Sequence, residues 1–177
     1  MDRLEPRIRR ATAADVEALG YVGPAAYAAE YAYLWDDSAA LARQLATFSS
    51  DAFSKLLERP EARVWVAQVD EAIVGFLTMI IGAVDPIRSK PGGTEIPRIY
   101  LLPAAKGQAT GRKLVEYAIT QAKQEGSRYV WLDVMASAEQ ARRAYLKWGF
   151  VELGATRFAK PAKADLAEMI VLAKQLD

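Results

Sequence analysis

The chain has 177 residues, 52% of them apolar and 25% charged, which is the balance of an ordinary globular protein. Its length fits one domain spanning residues 1–177. A count of 23 Lys and Arg against 22 Asp and Glu leaves a formal charge of +1, so no net field recruits nucleic acid or an anionic membrane. The absence of Cys and His rules out disulfides, thiolate nucleophiles, His-based triads, zinc ribbons and His-held metals. No Asp-rich loop has the spacing for Mg²⁺ or Ca²⁺, so no metal is expected. Catalysis here would run on Asp, Glu, Lys, Tyr, Ser, Thr or backbone amides.

Met1 to Arg10 is charged and no apolar signal core follows it, which reads as a cytoplasmic protein. Arg7 to Ala11 reads as a short strand. Thr12 and Asp15 mark a helix start, and the helical stretch beyond carries Val16, Leu19, Tyr27, Tyr31 and Trp35, with a break expected at Gly23-Pro24. Asp37-Ser38 caps a second helix with Leu41, Leu45 and Phe48. Ser49-Ser50-Asp51 opens a third with Phe53, Leu56 and Leu57. The period then changes. Val64 to Val69 and Ile73 to Val84, around Asp70-Glu71, read as a hairpin. Its second strand is nearly all apolar, which suggests cover on both faces. The longest uncharged apolar stretch, Ala72 to Val84, is too short to span a bilayer.

Asp85 to Gly93 reads as a loop and Glu95 to Leu102 as a strand ending at Pro103. Ala109 to Gln124 is a helix stopped by Gly126, Tyr129 to Met135 a strand, and Glu139 to Trp148 a helix ended by Gly149. Phe150 to Ala159 and Leu166 to Lys174 are final strands. This order predicts an α/β (α+β) domain, a mixed sheet with helices on both faces.

The stretch IYLLPAAKGQATGRKL, Ile99 to Leu114, carries the chemistry. A strand runs through a small-residue loop into a helix start, where unpaired N–H groups and the positive helix end favour an anion. Lys106 and Arg112 bracket the loop with positive charge. It is neither a Walker A motif nor a G-x-G-x-x-G loop, and the same small residues would serve an ordinary strand-to-helix turn.

Taken with two further motifs, the stretch resembles the GNAT superfamily of acetyl-CoA-dependent N-acetyltransferases. In that family a strand L-x-V-x-P leads into Q/R-x-x-G-x-G/A. Ile99, Leu101 and Pro103 take the strand positions, and Lys106, Ala109 and Gly111 the loop positions. The later pattern A-x-x-x-Y-x-x-x-G-F is met by Ala141, Tyr145, Gly149 and Phe150, and the Val64 to Phe76 hairpin matches the family's earlier one, Gly75 included. From the fourth strand onward the chain is similar to PaiA-type polyamine acetyltransferases, as in EIPRIYL, YVWLDV and KWGFVELGATRF.

The resemblance implies a mostly antiparallel sheet of six to seven strands with strands four and five splayed. It also implies acetyl-CoA as co-substrate, no metal, and a small-molecule amine as partner, a polyamine first. A protein N-terminus or lysine, or a non-catalytic acyl-CoA-binding regulator, is the alternative. Homodimers are frequent in the family. The pyrophosphate would lie on Lys106, Gly107, Gln108, Ala109, Thr110, Gly111 and Arg112, and the pantetheine arm against the backbone of Leu101 and Leu102. Three positions depart from the pattern. Lys106 replaces Gln or Arg, Ala109 replaces a Gly, and Ala138 stands where Asn is common. Ala109 is costly only if its φ is positive. Pro97 inside a strand implies a bulge, which the family has in its fourth strand.

The activity so implied is direct attack of a neutral amine on the acetyl thioester. Tyr145 matches the family's tyrosine and would protonate the departing thiolate. For the base, Glu95 shares a strand face with Pro97, where relatives often carry Glu, and Asp133 lies on the next strand; each would equally serve an ion pair or a rim charge. Tyr27, Tyr31 and Trp35 fall in the segment that covers the acceptor in this family. They would hold an alkylammonium by cation–π contact, with Glu30, Asp36 or Asp37 supplying charge. A stripe of this spacing also serves a core.

Overall fold

The computed structural model describes residues 5–107 and 109–177. The chain folds as β1 (Arg7–Arg10), α1 (Val16–Tyr31), α2 (Ser38–Ala46), α3 (Ser50–Glu58), β2 (Ala62–Val69), β3 (Ala72–Ile81) and β4 (Gly93–Leu101). It continues with α4 (Thr110–Gln124), β5 (Tyr129–Met135), α5 (Glu139–Lys147), β6 (Val151–Arg157) and β7 (Glu168–Gln175). All seven strands form one sheet in the order β1-β2-β3-β4-β5-β7-β6. Every neighbouring pair is antiparallel except β4 and β5, which run parallel. This is the mixed, mostly antiparallel sheet expected. No helix of the described residues is long and apolar enough to cross a membrane.

The sheet is covered on both faces. Leu19, Val22, Phe48 and Phe53 of the α1–α3 region pack with Val64, Val66 and Phe76 on one side. Leu114, Val115, Ala118 and Ala122 of α4 pack with Leu77, Met79, Val130 and Leu132 on the other. β3 supplies Phe76 to the first layer and Leu77 to the second, which is why it reads as continuously apolar.

Local signals in the sequence set most element ends. The Thr12 N–H donates to Asp15 Oδ2 at 2.8 Å, and Asp15 also holds Arg9, with Oδ2 2.8 Å from Nη1. Asp37 caps α2 by accepting from the Ala39 N–H at 2.8 Å, and Ser49 caps α3 by accepting from the Ala52 N–H at 3.2 Å. The break expected at Gly23-Pro24 does not occur, since α1 runs through both residues. Packing decides this. A Cβ on Gly23 would sit 2.9 Å from Phe48 Cβ, so the glycine is there to let α1 approach Phe48, and the burial of Val22, Ala26 and Tyr27 holds the helix across the proline.

β4 decides where the site lies. It pairs with β5 only at Gly93, Thr94 and Glu95, whereas it stays paired with β3 as far as Leu101. Thr78 faces Arg98 and Ile80 faces Glu95, so Met79 alone opposes both Ile96 and Pro97. That is a β-bulge, as Pro97 implied. The extra residue inverts the alternation. Ile96, Ile99 and Leu101 join the α4 face, while Tyr100 and Leu102 join the α1–α3 face. Past Glu95 and Trp131 the two strands share no pairing, and a gap opens between them.

Candidate active site

Two clefts meet at this gap. The first, about 590 Å³, runs from Ile99 and Leu101 past Lys106, Gly107, Ala109 and the start of α4 to Tyr145 and Trp148. The second, about 370 Å³, lies among Tyr27, Gln44, Pro97, Arg98, Asp133 and the Arg157–Lys160 segment. Tyr31 and Tyr100 line both, so the two clefts adjoin at these rings.

The start of α4 is built to hold an anion. The first bond of the helix runs from the Lys113 N–H to the Ala109 carbonyl at 2.9 Å. Among the described residues, the N–H groups of Thr110, Gly111 and Arg112 find no acceptor, and all three residues line the first cleft. Lys106 stands beside them, ion-paired with Glu30 of α1, and burial lowers its pKa. Arg112 pairs with Glu116 at 2.8 Å on the exposed side of the helix. Gln108 lies outside the described residues.

Ala109 has φ 57° and ψ 9°, in the left-handed region. The glycine-to-alanine departure therefore falls on a residue where the Cβ is strained.

At the end of β4, Leu101 and Leu102 differ. The Leu102 N–H donates to the Val74 carbonyl at 2.8 Å, and the Leu102 carbonyl accepts from the Ala105 N–H at 2.9 Å. Both its backbone groups are thus used within the chain, and its side chain joins the α1–α3 core. Because alternate residues of an antiparallel strand turn to opposite neighbours, the backbone of Leu101 faces the open gap instead. The structure brings Leu101 to the cleft and leaves Leu102 out of it.

Tyr145 is 7% exposed and packs edge-on against Trp148 and Phe150, with ring centroids 5.5 and 5.7 Å away. Its hydroxyl has no hydrogen-bond partner among the described residues. Burial raises its pKa, so it stays protonated at neutral pH.

Glu95 and Asp133 come together where β4 and β5 part. Burial, then the Asp133 charge, pushes the Glu95 carboxyl up to about 7. Burial also raises Asp133, which lines the second cleft.

The aromatic and acidic residues of the first third divide. Tyr31 lines both clefts and Tyr27 the second, edge-on to Tyr100 with ring centroids 5.6 Å apart. Trp35 is 8% exposed, donates its indole N–H to the Tyr27 hydroxyl at 3.2 Å and packs on Phe158, away from both clefts. Asp37 is an exposed helix cap beside Arg43 at 3.9 Å, and Asp36 pairs with Lys163 at 3.4 Å. Neither aspartate reaches a cleft, and Glu30 is taken by Lys106. A residue the sequence did not single out takes part instead. Arg98 enters the second cleft because the bulge turns it to the side of Tyr100. Among the described residues no group of three or more acidic side chains is close enough to hold a metal.

The acetyltransferase (GNAT) family model matches residues 27–150, from Tyr27 through the loop and α5 to the end of the Tyr145–Phe150 motif. The chain belongs to this family. An uncharacterized N-acetyltransferase of Mycobacterium tuberculosis is 30% identical over 113 residues, 64% of this chain and 68% of the relative. Among solved structures, the PaiA N-acetyltransferase of Thermoplasma acidophilum in complex with coenzyme A superposes with a TM-score of 0.78 at 18% identity, covering 98% of this chain and 100% of the other. The ribosomal-protein-S18-alanine N-acetyltransferase of Escherichia coli does so with a TM-score of 0.71 at 20% identity, covering 97% and 94%. Both share the fold. The parted parallel pair, the bulge and the loop before α4 all lie within the residues that the family model matches.

Two predictions concern the site before any turnover. Ala109→Gly should raise stability by up to about 1 kcal/mol, read as a higher urea midpoint with unchanged slope, because glycine relieves the left-handed strain. Glu95 binds its proton more tightly folded than unfolded. Its contribution therefore falls as pH rises from the ordinary glutamate range through about 7, then levels off. Between about pH 5 and pH 8 the wild-type urea midpoint should thus drop further than that of Glu95→Gln.

Proposed function

We propose that this GNAT enzyme, with the whole chain as one catalytic domain, moves the acetyl group of acetyl-CoA to the primary amine of a small molecule. The observation that carries this reading is a pair of clefts that share Tyr31 and Tyr100, one lined by the start of α4 and the other by Asp133, whose charge helps push neighbouring Glu95 up to about 7.

The residues present fit the co-substrate. The N–H groups of Thr110, Gly111 and Arg112, which have no acceptor among the described residues, would take pyrophosphate oxygens, with Lys106 and Arg112 adding charge. The gap-facing backbone of Leu101 would take the pantetheine amides. Acetyl-CoA supplies an activated acyl carbon and a thiolate leaving group.

The chain's own groups manage the protons. An alkylammonium has a pKa near ~10, so it must lose a proton before its nitrogen can attack. Glu95 and Asp133 act as a coupled pair that takes this proton, and a carboxyl near 7 is suited to do so at neutral pH. The new C–N bond forms as the C–S bond breaks. Tyr145, neutral and without a protein partner, gives its hydroxyl proton to the sulfur and regains one from solvent.

A polyamine acceptor has two supports, the sequence resemblance and the fold shared with the PaiA enzyme. The charges of the second cleft speak for a different amine.

Thiol release from acetyl-CoA, followed with a thiol-reactive dye, tests the reading directly, since the chain has no cysteine to react. Release should depend on added amine and fall by about 10²-fold or more in Tyr145→Phe, with the KM for acetyl-CoA little changed. Amine-independent release, or an unaffected Tyr145→Phe, would overturn it. The kcat/KM profile should rise through about pH 7 in the wild type. That limb should vanish in Glu95→Gln and move to lower pH in Asp133→Asn, where Glu95 loses the neighbouring charge that opposes its ionisation. A limb unmoved in both variants would remove the pair from the mechanism.

A further inference from the structure

The second cleft is cationic, which is the wrong sign for a polyamine. Arg98, Arg157 and Lys160 line it, against Asp133 as its one acidic lining residue. Among the described residues none of the three cations forms an ion pair. The acids nearest in sequence to the aromatic stripe are committed elsewhere, Glu30 to Lys106, Asp36 to Lys163 and Asp37 to Arg43. A polyamine held here would set its remaining ammonium groups among three like charges, with Asp133 as the single acidic lining residue to offset them.

Arg98 is also prepared for a ligand. Its guanidinium lies 4.1 Å over the Phe48 ring, and it donates through Nη1 to the Thr47 carbonyl at 3.0 Å and through Nη2 to Thr47 Oγ1 at 3.1 Å. Two of its five N–H groups are thereby fixed, which sets the plane of the fork, and three have no protein acceptor among the described residues. Half-buried guanidinium N–H groups in a fixed plane match the two oxygens of a carboxylate or phosphonate. The exposed Arg157, tied through Nη2 to the Ala164 carbonyl at 3.2 Å, and Lys160 add positive charge at the same cleft. Gln44 adds a buried side-chain oxygen that has no donor among the described residues. At about 370 Å³ the cleft accepts a molecule of amino-acid to dipeptide size.

We propose that the acceptor is a small amine that also carries an oxyanion group, and that Arg98, helped by Arg157 and Lys160, holds this anion while the amine lies toward Asp133 and the junction of the clefts. The proposal rests on the acetyl-transfer reading above and names its substrate class.

The test is amine-dependent thiol release across matched acceptors. These are alkylamines, aminocarboxylates and aminophosphonates of equal chain length, spermidine, and a short peptide with a free N-terminus and an amidated C-terminus. An anion-bearing amine should exceed the alkylamine of the same length by about tenfold or more in kcat/KM, and the carboxylate and phosphonate arms say which oxyanion the site takes. Arg98→Gln should erase that preference through the acceptor's KM, leaving the KM for acetyl-CoA unchanged. Because Arg98 also ties down Thr47, the exposed double variant Arg157→Gln/Lys160→Gln is measured beside it and should weaken the same preference. Spermidine or the peptide as best acceptor, equal rates for matched alkylamines and aminocarboxylates, or a preference kept in both variants would each overturn the proposal while leaving acetyl transfer standing. No release with any amine would overturn both.

Discussion

Opposite Met79 of β3, strand β4 carries one residue too many, and the proline at that point has no N–H to give to β5. The two strands have already used their only three paired positions by then, so β4 continues along β3 while β5 follows β7. The loss of pairing leaves the backbone of Leu101 facing a gap, as a sheet edge in the middle of the fold. Such an edge has hydrogen-bonding groups to offer and no neighbouring strand to take them, which suits a ligand with amides of its own. The same bulge inverts the side-chain alternation and brings Arg98 to the side of Tyr100.

Charge is ordered along the adjoining clefts. At one end lie the N–H groups at the start of α4, without acceptors among the described residues, and the nearby Lys106, an arrangement that favours negative charge. Where β4 and β5 part, Glu95 lies near Asp133 in a partly buried place, so that its proton is held more tightly than usual. At the other end stand three cations without acidic partners among the described residues. Each of these charges costs something where it stands, and that is a reason to look for its partner in a bound molecule rather than in the protein.

The elements were legible because their signals are local. Thr12 with Asp15, Asp37, Ser49, Gly126 and Gly149 each end or begin a helix through a hydrogen bond or backbone angle that needs only near neighbours. Pro24 misled for the converse reason. Its cost to a helix is local, but the contacts of α1 with Phe48 and Phe53 that outweigh it come from elsewhere in the chain. Within the site, Tyr145 and the loop before α4 were readable as motifs, and Pro97 as a bulge. Trp35 and Asp37 had the right chemistry and spacing for an acceptor site. Spacing along a helix does not say which side faces a cleft, and one became core while the other became a cap.

By itself the sequence determined the order of elements, the absence of cysteine and histidine chemistry, and the strand, small-residue loop and helix start between Ile99 and Leu114. These depend on residue type and on spacings of a few positions. The tertiary structure alone decided that Leu101 and not Leu102 faces the gap, that Ala109 sits in the left-handed region, and that Glu95 and Asp133 share one environment. It alone decided that Arg98 lines the second cleft. Each of these turns on which strand lies beside which, and a one-residue bulge changes the answer for every residue after it.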